Sequence, residues 1–492
     1  MVTFSEFKHD YKKSIFNYKE PISKEYSVKL NGQEIPVYTC RISKYPFNRD
    51  WPGVQRSTDQ TELASFVNIV SDEEIELEVS VKVEYERILI KPYSKGVEFT
   101  DDNGTVRLTL KENGHYVLQA DSYHHTLYIF NNKPIAAPQA CEVTHYFGPG
   151  VHMPGKITLK DNESVYVDKD ALVFGCLYAE GAKNIRIFGN GLFDDAGEAR
   201  FSGPCYEEFT NGNLKFYDCE NVRIDGILLR DSAIWCVNVF HCNDFVINDV
   251  KVFGQWRYNT DGVDIVNSSN ITVKNCFIHS FDDGVTIKGI DRYIESSNEN
   301  ILIEDCEVWC DWGRTLVVGV ETACPRCRNI TFRNCDVLRG GGVVLDVEDG
   351  NFAEISDILF ENINVEYNPY DTNEIYQSTD DMVYPAQNQI IYPRLINVAN
   401  EQIFDSAKYE VRKKELGYPE SIIPKIEPYC VHDVAFRNVT VYYDDRLPKV
   451  DGEFRVCAKV KNYVEGSRFY NLVAENIKVQ YKGEEEPLSF EL

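Results

Sequence analysis

The chain has 492 residues, enough for two or three domains, and its 43% hydrophobic content leaves ample material for a core. A formal net charge of -27 argues against nucleic acid and anionic membranes as partners, and no apolar run approaches the length of a membrane span. Fifteen cysteines, an odd number without a compact spacing framework, read as reduced thiols and not as a disulfide scaffold.

Met1 to Glu20 carries charges but no apolar core of the kind that marks a secretory signal, so the sequence reads as cytoplasmic. Over residues 1–138, strand-like alternations (Glu76 to Val83, Thr105 to Leu110, Tyr116 to Ala120) are separated by Asn31-Gly32, Asn103-Gly104 and Asn113-Gly114. Asn-Gly supplies the two positive φ angles of a tight hairpin, which predicts an antiparallel β-sandwich-like domain. Pro134 to Pro138 reads as a linker.

From residue 139 to 492 the texture changes to a repeat. Asn221-Val222-Arg223-Ile224, Asp244-Phe245-Val246-Ile247, Asn270-Ile271-Thr272-Val273, Asn300-Ile301-Leu302-Ile303, Asn329-Ile330-Thr331-Phe332 and Asp357-Ile358-Leu359-Phe360 follow one another at intervals of 23 to 30 residues. Each unit holds short apolar alternations broken by Asn, Asp or Gly, too short for helices. One unit cannot bury its own apolar face, whereas stacked units share an interior and pair each strand with the rungs above and below. The expected fold is therefore all-β, a parallel β-helix behind the sandwich-like domain. A second register (Asn275, Asp305, Asn334, Asn362, Asn438, Asn476) suits a turn with left-handed backbone angles and a ladder of amides. Cys276, Cys306 and Cys335 beside it read as small buried hydrophobes. Cys324-Pro325-Arg326-Cys327 reads as a solvent-facing turn, since a zinc site needs a second pair. Residues 368–430 interrupt the repeat and read as a lobe or lid beside a groove.

Within the repeat, Asn259-Thr260-Asp261-Gly262 is followed 21 and 22 residues later by Asp282-Asp283. Three carboxylates on neighbouring turns repel one another, and a chain that keeps them gains a proton-transfer site. With Gly313-Arg314-Thr315-Leu316-Val317-Val318-Gly319, this series resembles the polygalacturonase family, glycoside hydrolase family 28. It is also similar to the related dextranase and isopullulanase family, family 49, which sets a β-sandwich before the β-helix. The resemblance implies a right-handed parallel β-helix and an inverting glycosidase. Asp282 would protonate the leaving oxygen, while Asp261 and Asp283 activate a water, the acid and base standing roughly 6.5–9.5 Å apart.

The sequence departs from the family at two places. Arg314 replaces the histidine of a Gly-His-Gly motif, and in the expected Arg-Ile-Lys motif Val344 and Asp346 replace the two basic residues. Those two neutralise a galacturonate carboxylate, so a neutral, α-glucan-like sugar is the expected substrate. Asn259, Lys288, Arg314, Asp346, Glu348, Trp256 and Trp312 are the expected substrate contacts, with Asp264, Glu321, Trp235, Tyr258 and Trp309 nearby. No cofactor or metal is expected, the partner is an oligo- or polysaccharide, and nothing indicates an oligomer. A uronic-acid hydrolase and a non-catalytic glycan-binding β-helix are the alternatives.

Overall fold

The computed structural model describes residues 1–7, 11–13, 16–18, 21–44, 58, 61–198, 212–368, 393–400, 430–449, 451–464, 466–490 and 492. Its architecture is the expected one. Two sheets, of six and five strands, and a two-stranded hairpin, Tyr11–Lys13 with Phe16–Tyr18, precede a continuous 28-stranded sheet that winds from His145–Phe147 to Glu484–Leu488. Asn31-Gly32 and Asn103-Gly104 close hairpins, with φ of 48° and 81° in the first and 49° and 90° in the second.

Two details of the sandwich differ from the sequence reading. Asn113-Gly114 makes no hairpin, because Thr105–Leu110 belongs to the five-stranded sheet and Gly114–Ala120 to the other. Here the Asn113 amide donates instead to the carbonyls of Ser71 and Asn132 at 2.8 and 3.1 Å. The larger sheet is also mixed, since Thr126–Asn132 pairs in parallel with Thr61–Ser71.

In the β-helix, successive coils pair in parallel register, ending in one antiparallel pair, Arg468–Tyr481 with Glu484–Leu488. Asn and Asp hold the turns. Asn275, Asp305, Asn334, Asn362, Asn438 and Asn476 all lie at φ of 51–55°. Their amides bond from coil to coil, Asn362 to Asn334 and Asn438 to Asn362 each at 3.0 Å, Asn476 to Asn438 at 2.8 Å. These columns fix register, because a one-residue slip would turn the apolar set outward. Inside, Phe332, Phe360 and Phe436 stack with centroids 4.7 and 5.0 Å apart, and Cys276, Cys306 and Cys335 are buried as expected. Cys324 and Cys327 face inward as well, their sulfurs 3.5 Å apart. Only Pro325 and Arg326 between them are exposed, which corrects the solvent-facing reading of this turn.

The stretch 368–430 is not one excursion. Arg394–Asn400 within it is a coil strand, paired in parallel with Val343–Asp349 and with Ala458–Asn462. Residues 369–392 and 401–429, where a lobe or lid was expected, lie outside the described residues.

The sandwich packs along the β-helix. Phe66, Tyr128 and Phe130 meet Phe253, Phe277 and Trp309. Lys91 pairs with Glu366, and both are buried; Lys95 and His115 both bind Glu307. Nearest the aspartates, the Tyr128 hydroxyl lies 2.7 Å from His279 Nδ1, whose Nε2 faces Asp311 at 3.1 Å.

Candidate active site

The site is built from three successive strands, Val263–Val266, Val285–Gly289 and Arg314–Thr322. Register sets Asp264 beside Thr286 and Thr286 beside Val317. Backbone bonds from Gly262 N to Asp283 O and from Gly284 N to Arg314 O, both 2.8 Å, carry the alignment into the preceding turns. Asp261, Asp283 and Arg314 thus stand in one column at the edge of the sheet. Asp282 lies one residue earlier, above Gly313.

Glycine is required at 313 by closeness. A Cβ there would sit 2.6 Å from both Asp282 Oδ1 and the backbone nitrogen of Asp283. The acid turn is held at its other end by the Ser280 hydroxyl, which donates to the Asp282 carbonyl at 2.7 Å, and by Trp312 N, which donates to Phe281 O at 2.7 Å.

Lys288 organises the carboxylates. Its ammonium lies 2.8 Å from Asp261 Oδ2, 2.9 Å from Asp264 Oδ1 and 3.9 Å from Asp283 Oδ2, over the Trp235 ring at 3.9 Å from the centroid. The side chain is buried, not the solvated rung lysine that a surface strand would carry. Arg314 grips Asp283 on both oxygens, through Nε at 3.1 Å and Nη2 at 2.7 Å, and its backbone nitrogen adds a third bond at 2.9 Å. A planar fork suits this bidentate grip.

Protonation divides accordingly. Asp261, Asp282 and Asp283 are 2%, 8% and 3% exposed, so burial penalises every charge in the group. Burial pushes Asp282 well above the usual carboxylate range, and repulsion from Asp261 and Asp283 pushes it further. Asp261 is raised by burial to about 6, with Lys288 holding it back. In Asp283, Arg314 and then Lys288 outweigh burial and leave the carboxyl below its ordinary value. Burial also drives Asp264 well up, against the pull of Lys288. Asp282 and Asp264 are thus held toward the protonated form beside an ionised Asp283, and Asp282, unlike Asp264, has no ammonium or guanidinium within ion-pair distance among the described residues.

The expected contacts separate into groups. Asn259 sits in the left-handed region at φ 57°, its amide 3.5 Å from Asp282 Oδ2. Trp312 is half-buried beside the acid turn, parallel to Phe281 at 6.0 Å. Trp256 is buried, its indole N–H donating to Asp231 at 2.7 Å. Trp309 lies away from the groove, under the sandwich. Asp346 is fully buried, accepts from Asn397 Nδ2 at 2.7 Å and faces Arg314 Nη1 at 3.8 Å, with Glu348 3.6 Å from the same nitrogen. These two acids therefore support Arg314. Glu321 is half-buried, and its charge acts on Lys288 and Arg314. Sequence reasoning missed Asn397, which fell within the stretch read as an insertion, and Gly313, whose only signal was its place before Arg314. Among the described residues no set of three His, Cys, Asp or Glu side chains is arranged to hold a metal ion.

The chain is similar to curated relatives. A probable polygalacturonase of Arabidopsis thaliana is 26% identical over 262 residues, 51% of this chain and 52% of that protein. A probable rhamnogalacturonase A of Aspergillus oryzae is 24% identical over 185 residues, 36% and 38% of the two chains. The chain thus spans about half the length, or less, of the curated relatives it matches. Among solved structures, Dex49A from Penicillium minioluteum superposes with a TM-score of 0.61 over 96% of this chain and 91% of its own. At 12% identity this likeness shows the shared fold. The profile described as "Glycosyl hydrolases family 28" matches residues 137–389, just over half of the chain and the whole of the aspartate-bearing turns, and the chain belongs to that family.

Proposed function

We propose that the protein is an inverting glycoside hydrolase that cleaves an O-glycosidic bond of an oligo- or polysaccharide, with a neutral, α-glucan-like sugar preferred to galacturonate at the cleaved bond. Asp282 gives its proton to the glycosidic oxygen as the bond from the anomeric carbon to that oxygen breaks, and the bonding pair leaves with the oxygen. A water attacks the anomeric carbon from the opposite face and loses its proton to Asp261. Asp283, kept ionised by Arg314, orients that water. Lys288 keeps Asp261 ionised, and so free to accept a proton, and limits the repulsion among the acids.

The observation that carries this reading is the unequal sharing of cations. Lys288 and Arg314 make ion pairs with Asp261, Asp264 and Asp283, whereas they act on Asp282 only from longer range, where burial and the repulsion of Asp261 and Asp283 outweigh their pull. The neutral preference is supported by Asp346, which stands where the family's lysine is expected and adds negative charge behind Arg314.

A proton NMR time course on a panel of glucans and oligogalacturonides tests both halves. The proposal expects the inverted anomer to appear first from a neutral glycan, and turnover to vanish in Asp282→Asn. Retention of configuration, or full activity in that variant, would remove the mechanism. The names of the curated relatives favour a second reading, a uronic-acid hydrolase of the polygalacturonase type; faster turnover of oligogalacturonides than of any neutral glycan would establish it. Binding without turnover, undiminished by Asp→Asn changes, would point to a glycan-binding β-helix.

A further inference from the structure

Beyond the aspartates, the same surface continues onto coils that the family motifs do not reach. Register places Arg314 beside Val343 and Val343 beside Arg394, so Arg394 occupies the edge column of Asp261 and Asp283. In the parallel column, Val317, Asp346, Asn397 and Lys459 follow one another, and Lys461 lies two residues beyond Lys459. At roughly 4.8 Å per coil, Arg394 lies roughly 14 Å and Lys459 roughly 19 Å along the axis from the coil of Asp283.

Lys459 and Lys461 stand on the same strand as this column, two residues apart. Arg394 donates to Asn397 Oδ1 at 2.9 Å and, among the described residues, neither it nor Lys459 nor Lys461 has a carboxylate within ion-pair distance. The acids nearest in register, Asp346 and Glu348, face Arg314. In a chain of net charge -27, cations with no carboxylate at ion-pair distance among the described residues concentrate positive potential on this face. An aromatic ring stands among them. Tyr463 is 43% exposed, Lys459 Nζ donates to its hydroxyl at 2.9 Å, and Lys461 Nζ lies 3.7 Å from the ring centroid. The turn bearing Tyr463 is preset by buried Asn400, whose Oδ1 accepts from the nitrogens of Tyr463 and Val464 at 2.6 and 3.3 Å.

We infer that Arg394, Lys459 and Lys461, with Tyr463 as a ring platform, form a second glycan-binding site for a sugar carrying an anionic group, several sugar units from the cleaved bond. The inference rests on the glycoside hydrolase reading for the kind of ligand, and it extends that reading to a polymer that is neutral at the cleaved bond and acidic further along. Lysine and arginine match a carboxylate or sulfate, and a tyrosine face suits a sugar ring.

The test is calorimetric titration of the full chain, in an Asp282→Asn background, with trigalacturonate, its carboxyl-reduced counterpart and a sulfated trisaccharide. Trigalacturonate is expected to bind, with affinity that falls as salt rises, and to lose about ten-fold in Lys459→Gln/Lys461→Gln. Arg394→Gln should produce a separate loss, and the carboxyl-reduced sugar should bind equally weakly to every variant. Tighter binding of the sulfated sugar, with the same losses, supports the site and identifies sulfate as its anion. Undiminished affinity in the lysine variant, equal binding of the reduced sugar, or no binding of either anion overturns the inference. Both lysines are solvent-accessible, so an unchanged thermal melt separates a binding loss from misfolding. Activity that survives Asp282→Asn would count against the hydrolase mechanism and leave this binding result standing.

Discussion

Replacing Lys288 by methionine removes the ammonium while keeping the aliphatic stem over Trp235. The ammonium lies 2.8 and 2.9 Å from Asp261 and Asp264 and 3.9 Å from Asp283, all four side chains being buried. Removing one member of a buried ion pair costs about 3–5 kcal/mol, because the remaining charge is left uncompensated. At about 2.1 cal/mol/K of unfolding entropy per residue over the whole chain, that loss lowers Tm by about 3–5 °C. The pH dependence distinguishes this cause from lost packing. In the native protein Asp261 and Asp264 are raised above their unfolded values, so the folded state holds more protons and stability falls as pH rises through that window. Lys288 is itself raised, so its contribution is present below its unfolded value and is lost only as pH climbs through the folded one. Without the ammonium both carboxyls rise further, and the variant's loss must be larger at about pH 7 than at about pH 4, where they are protonated. Scanning calorimetry at the two pH values measures it. An equal loss at both would refute the view that Lys288 acts through charge.

Gly313→Ala places a methyl group 2.6 Å from Asp282 Oδ1, and kcat on whichever glycan is turned over should fall by about 10²-fold with a smaller change in KM. The rate should fall on acidification below about pH 6, as the raised Asp261 takes up a proton and stops serving as base; a kcat profile against pH shows that limb. Arg314→Lys removes the fork on Asp283, so kcat should fall across the same profile as the water-orienting carboxylate loses its bidentate hold, while the acidic limb, set by Asp261, stays at about pH 6. Tyr128→Phe leaves His279 Nδ1 buried without its hydroxyl partner, a cost of about 1–3 kcal/mol. Thermal melts should show this as a lower Tm for the β-helix as well as the sandwich.

Much of the fold was legible because the repeat writes one physical requirement many times. Each coil needs an Asn or Asp where the backbone turns left-handed, and the columns from Asn270 to Asn476 record it. The aspartates were legible for a related reason: a coil of nearly fixed length converts 21 and 22 residues of sequence into adjacency. What failed was whatever depends on pairing between distant segments. Asn113-Gly114 carries the hairpin dipeptide, yet its flanking strands join different sheets, which no local pattern encodes. Arg394–Asn400 was hidden because the stretches on either side break the period. Asp264 and Lys288 alternate as surface residues do, and only their mutual approach explains why both are buried. The same holds for Asp346, which as an isolated carboxylate suggested a sugar contact and in the fold serves Arg314.

Charge along the axis links these observations to specificity. At the cleaved bond the column offers Asp261 and Asp283 with Arg314 already committed to Asp283, Asp346 and Glu348. A uronate carboxylate there would approach acids with no uncommitted cation among the described residues, at about 1 kcal/mol per unit charge at 4 Å in water and about 4 kcal/mol at the effective dielectric of a protein surface. A sugar hydroxyl pays no such penalty and can donate to the same oxygens. Two coils past Arg314 the sign of the surface reverses at Arg394, and by Lys459 and Lys461 the cations stand without carboxylate partners among the described residues. A polymer of one kind of sugar would be mismatched at one end of such a gradient. The proposed ligand, neutral where it is cut and acidic further along, meets compatible charge at both positions, and its orientation in the groove follows from that match.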